Sequence, residues 1–126
     1  ATGTTIRARF TEISKLNGAS VYSQSVDYCG IDWYCLLIAH HYIVYVILGT
    51  LNYPWSCSVF AELQLISQES EEVVHSIELD CVLDEKSSGR GYHEFLSFKD
   101  LLDPEKGYVK DDSIIVAAVF RAFPTQ

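Results

Sequence analysis

Long hydrophobic runs are missing from this chain. No apolar stretch approaches the ~18 residues that a membrane-spanning helix needs, and the longest, Tyr42 to Leu48, has strand length. No basic segment followed by an apolar one stands near the start, so no signal peptide is visible. Basic charge is also scarce. Nine Lys and Arg face 17 Asp and Glu, giving a net charge of −8, and no Lys/Arg run occurs. A generic phosphate-binding face needs concentrated basic charge. Neither nucleic acid nor a membrane is therefore an expected partner.

Paired cysteine spacing is lacking too. Cysteines stand at 29, 35, 57 and 81, with no C-x-x-C pair and no short zinc-type spacing. Cys35, Cys57 and Cys81 lie inside apolar strand patterns, which reads as buried thiols in a reducing compartment. The expected localisation is the cytoplasm or the nucleus. Asp103, Glu105, Asp111 and Asp112 lack the spacing of a calcium loop and read as acidic turns, with Asp112 capping the turn into the last strand. His40 and His41 are adjacent, and neighbours on an extended segment point to opposite faces. They read as two loop histidines and not as a shared site. No cysteine-protease signature accompanies the thiols. The chain is thus expected to be no enzyme, with no catalytic residue, metal or cofactor.

What is present is a pattern of strands. A length of 126 residues with 48% apolar content fits one domain, 1–126, with a real core. Thr5 to Phe10 alternates, with Ile6, Ala8 and Phe10 on one face. Asn17-Gly18 signals a turn. Val21 to Ser23 and Val26 to Tyr28 read as edge-like pieces, and Trp33 to Ile38 as a dense strand. Tyr42 to Leu48 and Ile114 to Phe120 are apolar on both faces and predict central strands. From Trp55 to Leu65 the odd positions are apolar and the even ones mostly polar, although Phe60 breaks the polar side. Alternation resumes from Val74 to Leu83 beyond the acidic loop 68–72. Ser97-x-x-Asp100 has capping-box-like spacing and predicts one helical turn over 97–102, closed by Pro104 and Gly107. Short strands, frequent turns and almost no helix predict an all-β antiparallel sandwich.

The order of several short motifs is more specific than any one of them. They are Phe10 in the first strand, Gly30-x-x-Trp33, the Tyr42–Leu48 strand, Trp55-Ser56-Cys57, Gly91-Tyr92-x-x-Phe95, Leu101-Leu102-Asp103-Pro104-x-x-Gly107-Tyr108 and Asp111-Asp112-Ser113. In this order the sequence resembles the MATH domain (meprin and TRAF homology) over nearly its whole length. The resemblance implies an antiparallel sandwich of about eight strands. It also implies binding of short extended peptides from partner proteins, often to recruit substrates to ubiquitin ligase or deubiquitinase machinery. A BTB or protease domain that shares such a role would lie outside this chain.

Carried over position by position, the resemblance places the peptide-binding groove at Tyr42, Ala61, Cys81, Gly89, Arg90 and Tyr92. An edge strand offers unpaired N–H and C=O groups to an incoming peptide, and glycines at 89 and 91 permit close backbone approach. In ubiquitin-linked relatives the pair matching Gly89-Arg90 is typically Asp then Trp. Arg90, with Lys86 and His93 nearby in sequence, points instead to an acidic or phosphorylated peptide, because a guanidinium forks onto such groups. The same departure supports an alternative, a structural or self-association module whose groove is degenerate.

Overall fold

The computed structural model describes residues 3–16, 18–51, 56–84 and 93–124. Its strands are β1 (Thr4–Phe10), β2 (Ser20–Tyr22), β3 (Val26–Tyr28), β4 (Ile31–His40), β5 (Ile43–Leu51), β6 (Cys57–Ile66), β7 (Val73–Leu83), β8 (His93–Ser97) and β9 (Ile114–Pro124). One helical turn, α1 (Phe98–Leu102), and a single 3-10 turn (Ile13–Lys15) complete the described elements. The strands form two antiparallel sheets. The four-stranded sheet runs β1-β9-β6-β7, and the five-stranded sheet runs β2-β4-β5-β8 with β3 also on β4. The all-β sandwich expected from the sequence is what forms. Nine strands are described against about eight expected: the short pieces at 20–28 pair separately with opposite halves of β4, and β8 is the strand that the sequence pattern did not mark.

Period-2 patterning becomes burial directly. In β6, Cys57, Val59, Ala61, Leu63 and Leu65 all face inward. They meet Leu79 and Leu83 of β7 and Val116, Ala118, Phe120 and Ala122 of β9 in one core. The two runs apolar on both faces occupy central positions: β5 lies between β4 and β8, and β9 between β1 and β6. Trp33 fills the middle of the sandwich, with its ring 4.8 Å from that of Phe120. Its indole N–H donates to the Tyr28 carbonyl at 3.0 Å, so the buried polar tip has a partner.

Three tight turns share one geometry. Cys29-Gly30, His41-Tyr42 and Asp111-Asp112 each place both central residues at positive φ, as a two-residue type I′ turn requires. Glycine meets that need at position 30 and aspartates tolerate it at 111 and 112. His41 and Tyr42 are bulky residues held in the left-handed region, where an L side chain pays a steric cost.

Candidate peptide-binding edge

β8 closes one side of the five-stranded sheet. It pairs with β5 through Ile43↔Ser97, Val44↔Leu96, Tyr45↔Glu94 and Val46↔His93. The register skips Phe95 between Val44 and Tyr45, so Phe95 is the extra residue of a β-bulge. Its ring is buried in the core. The far side of β8 has no strand partner among the described residues. Across the mouth of the sandwich, His75 of β7 donates from Nε2 to the Phe95 carbonyl, and the two rings meet edge-on at 4.9 Å. This latch ties the end strands of the two sheets together beside the open edge.

Tyr42 stands at the C-terminal end of β8. The hairpin β4–β5 closes as His40↔Ile43, so Tyr42 belongs to the turn and not to the strand the sequence suggested. The residue is 88% exposed. Its carbonyl accepts the Phe98 N–H at 2.8 Å, which anchors the turn to the start of α1. A hollow of about 240 Å³ opens here, lined by Ser14, Ala39, His40, Tyr42 and Phe98. The turn also revises the expectation for His40 and His41. With His41 at φ 49 the segment is not extended, and the two rings meet at 3.9 Å.

Ala61 and Cys81 lie on the inward faces of β6 and β7, on diagonal positions set by Val59↔Cys81 and Ala61↔Leu79. Ala61 is buried, while Cys81 is partly buried against the core. Ala61 therefore has little surface to offer, and Cys81 somewhat more. Gly89, Arg90 and Tyr92 lie outside the described residues, just before the N-terminal end of β8. From that end to Tyr42 the edge spans five strand residues, about 17 Å of extended chain.

No disulfide joins the four cysteines. Burial pushes the Cys35 thiol up to about 12 and raises that of Cys57 as well, so neither is a ready nucleophile. Cys35 and Cys57 are buried as expected, Cys81 is only partly so, and Cys29, which lies in no apolar strand pattern, is exposed in the β3–β4 turn. Among the described residues no group of three His, Cys, Asp or Glu could hold a metal ion. No described helix is long and apolar enough to cross a membrane.

The acidic turn at 111–112 does more than its sequence suggested. Rather than capping its own strand, the Asp112 carboxylate accepts from the Ser14 N–H at 2.9 Å and from the Ser14 hydroxyl at 2.7 Å. Its carbonyl accepts from the Ile13 N–H at 3.0 Å. The 3-10 turn between β1 and β2 is thereby pinned to the start of β9, and Ser14 is held at the rim of the hollow beside Tyr42. Ser14 and His75 carried no sequence signal, because both act through contacts distant in the chain.

The fold is thus an antiparallel β-sandwich whose end strand β8 has no outer strand partner among the described residues. The family model of the MATH domain matches residues 8–120. The chain belongs to this family, whose domain is a protein–protein interaction module and a non-enzymatic fold.

Proposed function

We propose that this domain binds a short extended peptide of a partner protein along β8 and so recruits that partner. The observation that carries the reading is the outer side of β8, which has no strand partner among the described residues, with Tyr42 and its hollow at one end. Backbone groups of β8 supply affinity by adding the peptide as a further strand, and side-chain pockets supply selectivity. Tyr42 covers one peptide side chain. Gly89, Arg90 and Tyr92 serve the other end, where Arg90 favours a carboxylate or phosphate. Ala61 and Cys81 set the depth of the groove wall. Recruitment to ubiquitin ligase or deubiquitinase machinery, through domains elsewhere in a longer protein, is the biological setting that suits such a module. A cytoplasmic or nuclear location suits the same setting.

Selection from a random peptide library tests this. Binders are expected, enriched in acidic residues or dependent on a phosphate. Tyr42→Ala should weaken the selected peptide by about tenfold or more, and Arg90→Glu should remove the preference for acidic ligands. A selection that yields no binder, with a chain that self-associates, would support the structural module instead.

A further inference from the structure

Phe60 was the residue that broke the polar face of β6, and the fold shows where it goes. It sits on the outer face of the four-stranded sheet, where register aligns Asp80, Phe60 and Arg121 in one cross-strand row and Glu78, Glu62 and Val119 in the next. Between the rows runs an open groove of about 740 Å³. Phe60 and Val119 remain 43% and 41% exposed along it. The Phe60 ring meets that of Phe123, also exposed, edge-on at 5.9 Å, extending the apolar surface. Gly3 lines the groove at its β1 side. A Cβ there would come within 2.8 Å of the Phe120 carbonyl oxygen.

Acidic charge predominates around this apolar floor. Glu62, Glu78 and Asp80 face it, with Arg121 as the one cation among its lining residues. Glu62 and Glu78 stand directly opposite each other across β6 and β7. Like charges so placed oppose sheet pairing. Gln64 donates a hydrogen bond to Glu62, but no ion pair among the described residues engages Glu62, Glu78 or Asp80. A cation brought by another molecule would relieve that repulsion.

We propose that this face is a second docking surface, distinct from the β8 edge, for a protein segment that carries an apolar side chain flanked by Lys or Arg. The apolar side chain sits against Phe60 and Val119, and the flanking cations meet Glu62, Glu78 and Asp80. Charge complementarity selects this occupant. A second copy of the chain, at net charge −8, would add to the repulsion rather than relieve it. Nothing in this proposal needs the β8 edge, so either reading can fail alone.

The test is a titration of the ¹⁵N-labelled 126-residue chain with the peptide acetyl-Arg-Lys-Leu-Phe-Arg-Lys-amide. Two control peptides replace the basic residues by Glu, or Leu-Phe by Ser-Ser. Amide shifts are expected at 60–62, 78–80 and 119–121 with the first peptide and not with the controls. Glu62→Lys should weaken the complex by about tenfold or more and leave the melting midpoint no lower, since it turns a like-charge pair into an opposite one. Val119→Thr, a strand-compatible change at an outward position, should weaken binding without touching the acids. The proposal is overturned by shifts confined to 93–97, or by none up to about 1 mM peptide. Equal binding of the Ser-Ser control, or peptide-independent broadening of this face with rising protein concentration, would overturn it as well.

Discussion

Trp33 has no solvent exposure, touches Tyr28 and Phe120, and spends its N–H on the Tyr28 carbonyl. Trp33→Ala should cost about 3–5 kcal/mol in urea unfolding, since the site cannot collapse around so large a void. Cys35 makes a pH prediction. Its thiol stays protonated up to about 12 in the fold, against an ordinary value of 9.0. The unfolded chain therefore loses this proton first as pH rises, and the native state binds the extra proton in that interval. Stability from this group is intact below about pH 9 and falls by about 1.4 kcal/mol per pH unit above it, until the folded value is reached. Unfolding free energies from pH 8 to 10.5 should fall more for the native sequence than for Cys35→Ala. Tyr42 combines strain with exposure, at φ 66. Tyr42→Gly should raise stability by about 0.5–1 kcal/mol by relieving the left-handed backbone, yet weaken peptide binding. Opposite signs in the two measurements would support the proposed role of Tyr42 in binding.

At the scale of elements, strand identity was legible wherever burial alone decides it. Alternation in β1, β6 and β7, and two-sided apolarity in β5 and β9, depend only on which faces are covered. The Ser97 cap was legible for a similar reason, being local in sequence: its hydroxyl accepts the Asp100 N–H at 3.1 Å. Ser97→Ala should cost about 1 kcal/mol and loosen α1, visible as faster amide exchange at 98–102. β8 was hardly legible as a strand. It is five residues long and bulged, and its register is set by β5 and by the His75 latch rather than by its own pattern. The turn at His41-Tyr42 was misplaced by one step, since neither residue is a usual left-handed former. Asp112 looked like a local cap but bonds Ser14, which is 98 residues away. Asp112→Ala should cost about 1–2 kcal/mol by orphaning those donors, and should also disturb the rim of the hollow at Ser14.

At the scale of the whole molecule, the two proposals give the sandwich two surfaces of opposite preference. On them the β8 edge, with Arg90 before it in sequence, would take an acidic or phosphorylated strand, and the outer face of β1-β9-β6-β7 a basic one. A net charge of −8 slows association with acidic partners and speeds it with basic ones. Added salt should therefore weaken the basic peptide on the outer face and spare backbone pairing at β8. The central claim is that β8 is completed by a strand from another protein. Amide hydrogen exchange with a library-selected peptide tests it most directly. Exchange at 93–97 should slow on binding, because edge N–H groups gain backbone acceptors. A bound peptide that leaves 93–97 exchanging as before would contradict it.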